Sequence, residues 1–324
     1  MKRKDFLKII VVFAIAAMAC FANANGSSCD AAKKPSALSV KGTKIVNASG
    51  RTVTLKGVST HGIAWFPQYV NKQCFQSFKK MGANTIRLAF YSDSSAGYSK
   101  SLYKKVDEGV KAATDLGMYV IIDWHILSDG NPKTNQGKAK DFFTYFAKKY
   151  AGQTNVLYEI CNEPNGNVTW AKDIKPYAVK MISLIRKYDK NAIVIVGTPT
   201  WSQDVDVVAD SPIKGKKNIV YALHFYAATH KDWIRNKLKT ANQKGLPVLV
   251  TEYSICDASG NGGIDYKEAK AWMKLLKKLK VGRVAWNISN KNETSALIRS
   301  SCQKTGKITR NDLSKSGKWI TKNW

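Results

Sequence analysis

The chain has 324 residues, 44% of them apolar, 23% charged and 10% aromatic, with 22 glycines and only 8 prolines. That composition excludes a collagen-like chain, a disordered tail and a disulfide miniprotein, and it can fill a sizeable core. The formal net charge is +29, which raises nucleic acid or an anionic surface as partners.

The N-terminus reads as a secretory leader over residues 1–24. Lys2, Arg3, Lys4 and Lys8 precede the apolar stretch Ile9–Ala22, and Ala22-Asn23-Ala24 has the small-x-small form of a cleavage site. The apolar run falls short of the roughly 20 residues a bilayer span requires. Removing 1–24 takes away four bases and one acid and leaves +26. A lipoprotein with Cys20 as acceptor is the weaker alternative, because only Ala17-Met18-Ala19 precedes it. The expectation is a secreted or periplasmic protein without stable membrane insertion. Cys29, Cys74, Cys161, Cys256 and Cys302 would remain after cleavage; no C-x-x-C occurs, and one disulfide, Cys256–Cys302, is the expected pairing.

After a polar segment at 25–37, residues 38–324 read as one domain. Leu38–Leu55 suggests strand and turn, with Asn47-Ala-Ser-Gly50 as the bend of a hairpin between Ile45-Val46 and Val53-Leu55. Short β-branched runs follow at Leu55–Val58, Thr85–Ala89, Tyr119–Asp123, Val156–Glu159, Ile193–Val196, Ile219–His224, Pro247–Thr251 and Arg283–Trp286. Their starts lie about 26–37 residues apart, the spacing of successive βα units.

Helical patterns fill the intervals. Val106, Val110, Ala113 and Leu116 end at Gly117; Phe142, Phe143, Phe146 and Tyr150 end at Gly152; Val179, Ile182 and Ile185 follow. Trp233, Ile234 and Leu238 end at Gly245, and Trp272, Met273, Leu276 and Leu279 end at Gly282. Eight strands alternating with helices point to an α/β fold, a single (β/α)8 TIM barrel with a short N-terminal β-hairpin. A doubly wound sheet is the rival, but no G-x-G-x-x-G follows the first strand.

In such a barrel, reactive residues sit at the C-terminal ends of the strands. Here those ends carry Ser59-Thr60-His61 with Trp65 beyond, then Arg87, Asp123-Trp124-His125 and Glu159-Ile-Cys-Asn162-Glu163-Pro164. The later ends carry Trp201, His224-Phe225-Tyr226, Glu252-Tyr253 and Trp286. A lone glutamate at a strand end is ordinarily a solvated loop residue, and a lone tryptophan is ordinarily core. Coincidence over all eight ends outweighs that, as does the placing of His61, His125 and His224, with only His230 elsewhere.

Two carboxylates flanking a bond can serve as proton donor and nucleophile in glycoside hydrolysis. Glu163 and Glu252 stand roughly across the barrel mouth. Arg87 can pair with an ionised nucleophile, Asn162 can donate to a sugar hydroxyl, and Trp65, Trp201 and Trp286 offer flat apolar faces for pyranose rings. Three histidines could hold zinc, yet neither H-x-H on the first strand nor H-E-x-x-H occurs. G-x-S-x-G and Walker A motifs are missing too.

Tyr158-Glu-Ile-Cys-Asn-Glu-Pro-Asn165 resembles the Asn-Glu-Pro signature of glycoside hydrolase family 5. His61-Gly62 with Trp65, Val120-Ile-Ile-Asp-Trp-His125 with Ser128-Asp-Gly-Asn131, and Trp201-Ser-Gln-Asp204 are similar to the bacterial endoglucanase subfamily. So are Leu223-His-Phe-Tyr226 with Thr229-His230, Thr251-Glu-Tyr253, and Ala285-Trp286 with Asn290-Lys-Asn-Glu293, in family order from about Leu38 to Ile298. The resemblance implies a retaining endo-β-1,4-glucanase acting on cellulose and soluble β-glucans, with Glu163 as acid/base and Glu252 as nucleophile. It implies a supporting shell of Arg87, His125, Asn162, His224 and Tyr226. Sugars would bind His61, Trp65, Tyr91, Trp286, Lys291 and Glu293 on the glycone side and Trp201 on the aglycone side. Ser254-Ile255 and Asn290 depart from the family pattern, outside the presumed proton-transfer pair.

No cofactor and no metal are called for, and a monomer is expected. A mannanase, xyloglucanase or mixed-linkage glucanase is the runner-up. A non-catalytic basic polysaccharide-binding protein is the alternative from another class. Nucleic-acid binding is not expected, because the lysines are spread along the predicted helices (Lys104, Lys105, Lys111; Lys148, Lys149; Lys274, Lys277, Lys278, Lys280) with no recognition motif.

Overall fold

The computed structural model describes residues 34–324. The leader reading over 1–24, most of the 25–37 segment, Cys20 and Cys29 lie outside the described residues. Eight parallel strands close into a barrel: β3 (Lys56–Thr60), β4 (Thr85–Tyr91), β5 (Tyr119–His125), β6 (Val156–Glu159), β7 (Val194–Val196), β8 (Ile219–Tyr226), β9 (Val248–Ser254) and β10 (Arg283–Ile288), the last pairing with β3. Each predicted run is found, and most extend one to three residues further at the C-terminal end, where the site is.

The principal helices are α1 (Lys72–Lys80), α2 (Tyr103–Asp115), α3 (Gln136–Lys149), α4 (Lys175–Arg186), α5 (Pro199–Ser202), α6 (Val205–Asp210), α7 (Asp232–Gln243), α8 (Tyr266–Leu279) and α9 (Lys315–Lys322). The long ones follow the apolar periodicity, and α2, α3 and α7 end at Gly117, Gly152 and Gly245 with φ of +65°, +75° and +82°. The end of α8 differs from expectation: Lys280, at φ +53°, takes the left-handed cap. Gly282 instead permits close approach, since a Cβ there would stand 2.9 Å from the Leu55 carbonyl oxygen. Periodicity alone misses α1, α6 and α9, which are short, and α5, a single turn in which Thr200 and Trp201 take left-handed backbone angles. It also misjudges one residue in each of two helices: Val179 and Trp233 face solvent beside the buried stripes Ala178/Ile182/Ile185 and Ile234/Leu238.

The N-terminal hairpin also differs in detail. Its strands are β1 (Leu38–Lys41) and β2 (Lys44–Asn47), turning at Gly42. Asn47–Gly50 does form a turn, in which Asn47 Oδ1 accepts from the Ser49 and Arg51 amides at 3.1 and 2.9 Å. Beyond it only a single bridge, Val46 to Thr52, returns.

Alternation along the strands sorts two cores. Val58, Ile86, Leu88, Ile122, Tyr158, Leu223 and Val250 face outward against the helices. Tyr119, Ile121, Leu157, Ile195, Val220, Ala222, Leu249 and Val284 fill the lower barrel interior, with Leu38 and Ile45 of the hairpin packed beneath. Higher up, the inward residues turn polar.

Cys256 and Cys302 are both free and buried, so the expected disulfide is not formed. The Cys256 thiol donates to Ser254 Oγ at 3.4 Å, while Cys302 packs into the outer core. The lysines assigned to solvent-facing helix surfaces lie there: Lys104, Lys111, Lys148, Lys149, Lys274, Lys277 and Lys278 are exposed. Among the described residues, no helix is long and apolar enough to cross a membrane.

Candidate active site

At the C-terminal end of the barrel lies a cleft of about 600 Å³. Of the sequence-predicted residues, Glu163, Glu252, His125, His224, Tyr226, His61, Trp65, Tyr91, Trp201, Trp286, Lys291 and Glu293 line it. Arg87 and Asn162 lie fully buried directly beneath.

Arg87 organises the floor. Its Nε donates to Glu159 Oε2 at 2.7 Å, Nη1 to Glu252 Oε2 at 3.2 Å and Nη2 to Asn162 Oδ1 at 2.6 Å, with Asp123 Oδ2 at 3.0 Å from Nη2. A guanidinium is the one side chain whose rigid fork can serve several acceptors at once. Its burial would disfavour the charge, but Asp123, Glu159 and Glu252 outweigh that and hold it firmly protonated. Glu252 receives a second donor: Tyr226 Oη donates to its Oε1 at 2.7 Å. Both carboxylate oxygens are thereby fixed in direction.

Glu163 comes from the segment after β6. The Asn162 and Glu163 amides donate to the carbonyls of Trp124 and Ile126 at 3.1 and 3.3 Å, tying that segment to the end of β5. Gly197 allows it to pass: a Cβ there would lie 2.2 Å from the Cys161 carbonyl oxygen. The Asn162 amide is already committed within the protein, donating to the Ile126 carbonyl at 3.0 Å and facing His125 Nε2 at 3.2 Å.

The histidines divide by environment. Burial lowers His125 to about 3, with the Arg87 charge adding to the effect, so its ring is neutral. Its Nδ1 lies 2.7 Å from Asp123 Oδ2 and is the protonated nitrogen, since Nε2 accepts from Asn162. His224 goes the other way. Burial disfavours its charge, yet bonds to Glu159 and Glu163 and the negative charges of Glu163 and Glu252 raise it to about 9. Nδ1 faces Glu163 Oε1 at 2.8 Å, and Nε2 faces Thr251 Oγ1 at 2.8 Å, which donates on to Glu159 Oε1 at 2.6 Å. Glu159, although buried, is drawn down to about 2 by Arg87 and His224.

One oxygen of Glu163, one of Glu252 and a ring nitrogen of His224 lie within 4.8 Å of one another. Three such donors are the size of a cation site. Both His224 nitrogens are engaged within the protein, Nδ1 by Glu163 and Nε2 by Thr251.

Aromatic and polar walls flank the carboxylates. The rings of His61, Trp65, Tyr91 and Trp286 lie against one another, with centroids 5.0 Å apart for Trp65–Tyr91 and 5.3 Å for His61–Trp286. Trp286 stacks on His125 at 5.3 Å and 18°. Lys291 Nζ lies 2.6 Å from Glu293 Oε2, and Asn287 and Ser295 donate to Glu293 Oε1 at 3.0 and 2.9 Å. Across the barrel, after β7, Thr200, Trp201 and Ser202 sit at φ of +55°, +54° and +57°. Left-handed backbone costs roughly 1–2 kcal/mol per non-glycine residue. The turn is held by Trp201 N donating to the Pro164 carbonyl at 2.9 Å and Ser202 Oγ to the Asn162 carbonyl at 2.6 Å. That strain keeps the Trp201 indole, 44% exposed, at the cleft edge.

Sequence reasoning missed several residues. His230, set apart from the other three histidines, lines the cleft. Its amide donates to the Tyr226 carbonyl at 2.8 Å and its Nδ1 accepts from the Tyr226 amide at 2.9 Å, so a tight turn folds it back to the rim. Asp123, Glu159 and Thr251 were visible at strand ends, but nothing in their spacing marks them as partners of Arg87 and His224. Leu127, Gln203 and Ser259 complete the lining from loops without a motif.

Residues 46–292 match the model of the cellulase family, glycosyl hydrolase family 5. The chain is 44% identical to an endoglucanase of Clostridium saccharobutylicum, over 88% of this chain and 64% of that protein. It is also 44% identical to endoglucanase A of Butyrivibrio fibrisolvens, over 87% of this chain and 67% of that one. The chain thus spans about two-thirds of the length of these curated relatives. Among solved structures, a Thermobifida fusca endoglucanase catalytic domain in complex with cellotetraose is 35% identical, covers 88% of this chain and 96% of that one, and superposes with a TM-score of 0.80. A family model covering most of the barrel and relatives of this identity leave one assignment: this chain belongs to glycosyl hydrolase family 5.

Proposed function

We propose that the protein is an exported endo-β-1,4-glucanase that cleaves cellulose and soluble β-glucans with retention of anomeric configuration. The observation that carries the chemistry is the pairing of Glu163 and Glu252 with an oxygen of each within 4.8 Å. Retaining enzymes hold their carboxyl groups about 5–5.5 Å apart, whereas inverting enzymes leave a wider gap for water. Glu252, its two oxygens turned by Arg87 and Tyr226, attacks the anomeric carbon. Glu163 gives its proton to the leaving oxygen, and the bond to the departing sugar breaks as the glycosyl–Glu252 ester forms. Water, deprotonated by Glu163, then displaces Glu252 and restores both carboxyls. His224, bonded to Glu163 Oε1, keeps that carboxyl aimed across the cleft.

The substrate reading rests on the relatives, which are endoglucanases, and on the cellotetraose held by the Thermobifida domain. Export rests on the leader-like residues 1–24, and the reading includes a monomer without nucleic-acid partners. The experiment compares carboxymethylcellulose, barley β-glucan, xyloglucan, glucomannan and xylan as substrates for wild type, Glu163→Gln and Glu252→Gln. Expected are preference for the β-1,4-glucans and losses of at least about 10²–10⁴-fold in each variant. Preference for another polymer would replace the substrate while keeping the mechanism; an active Glu252→Gln would overturn the mechanism.

A further inference from the structure

Three of the nine tryptophans are strongly exposed: Trp65 at 49%, Trp201 at 44% and Trp233 at 49%. Two of them line the cleft, one in the loop after β3 and the other after β7, four strands apart around the closed barrel. The third is unexplained. Trp233 is the second residue of α7, the helix that follows β8, and so stands on the same end of the barrel as the site. It does not pack with the buried stripe of its helix, Ile234, Leu238 and Ala241. About half of its surface is left in water.

Its neighbours connect it to the cleft. The His230 ring, which lines the cleft, meets the Trp233 ring edge-on at 5.7 Å and 79°. The Lys237 ammonium lies 5.5 Å from the Trp233 ring centre and reaches Asp204 Oδ1 at 2.5 Å. Asp204 in turn accepts from Thr200 Oγ1 at 2.6 Å, in the strained turn that presents Trp201. Trp233 and Trp201 are therefore braced by one chain of contacts on adjoining loops. Trp233 stands just outside the cleft, past His230.

We infer that Trp233 is a sugar-stacking platform at the aglycone end, taking a glucosyl ring of a β-1,4-glucan beyond the one held at Trp201. The inference rests on the endoglucanase reading above. It assigns a chain-length preference: longer oligosaccharides and polymer reach Trp233, and short substrates do not. An indole suits this purpose because the apolar face of a pyranose packs on it at little entropic cost.

The test measures kcat/KM of wild type, Trp233→Ala and Trp233→Tyr on 4-nitrophenyl β-cellobioside, cellotetraose and cellohexaose. The aryl cellobioside is too short to reach Trp233 when its scissile bond lies between Glu163 and Glu252. Expected for Trp233→Ala is unchanged activity on the aryl cellobioside and a loss of roughly two- to tenfold on cellohexaose. Trp233→Tyr should retain most of the activity on cellohexaose. Equal losses on all three substrates, or no loss on cellohexaose, would overturn the platform. A wild type that cleaves none of them would overturn the underlying endoglucanase reading instead.

Discussion

Along the inward face of β5 the chain passes from Tyr119 and Ile121 to Asp123 and His125; β6 passes from Leu157 to Glu159, and β8 from Val220 and Ala222 to His224 and Tyr226. The lower half of the barrel interior is apolar, closed by the hairpin. The upper half is a buried network of Arg87, Asp123, Glu159, His224, Glu163 and Glu252. Each aliphatic side chain below contributes about 1.5–3 kcal/mol on burial. The charges above pay a desolvation penalty that their pairing only offsets. The same strands thus supply stability at one end and place costly, directed charge at the other.

Removing the hub of the upper network should have the largest effect. Arg87→Met leaves Asp123, Glu159 and Glu252 without their shared cation. A loss of about 3–5 kcal/mol is expected, together with collapse of activity, read by denaturant unfolding and by assay on soluble glucan. Ile195→Ala in the lower half should cost a similar or smaller amount, about 2–5 kcal/mol. Its activity per folded molecule should stay at the wild-type level. A folded Ile195→Ala enzyme with strongly reduced kcat would break the division between the two halves.

A smaller effect should appear in the pH dependence of stability. His224 is raised to about 9 in the folded protein, above the free value of about 6.5. Its contribution is therefore complete below about pH 6.5 and is lost as the pH rises through about 9. His61, His125 and His230 are lowered by burial, to about 4, 3 and 4. The unfolded chain binds their protons first, so they withdraw stability as the pH falls below about 6.5. Melting temperatures from pH 5 to 10 should decline on both sides, and His224→Asn should remove its share of the alkaline decline. An unchanged alkaline decline in that variant would contradict the assignment of the proton to His224.

Much of this was legible in the sequence, for identifiable reasons. The eight strands announce themselves because buried parallel strands need β-branched runs, and the outer helices because one face must be apolar. The reactive rim is legible because a barrel presents its strand ends to one mouth. The exceptions share a cause: they depend on which side chains meet in space. Asp123 and Glu159 look like ordinary strand termini until Arg87 is seen between them. His230 reaches the cleft by a turn, not by a strand. Trp233 carries an apolar residue type on a solvent-facing position, which periodicity can only assign to the core. The Cys256–Cys302 pairing failed because nothing in spacing brings those thiols together.

The measurement closest to the central claim follows the anomeric configuration of the first product by ¹H NMR during cleavage of a cello-oligosaccharide by wild-type enzyme. With Glu163 and Glu252 at this short separation, the β-anomer should appear first and only later mutarotate toward the equilibrium mixture. Initial release of the α-anomer would mean that water attacks directly, and the assignment of Glu252 as the group bonded to sugar would fall.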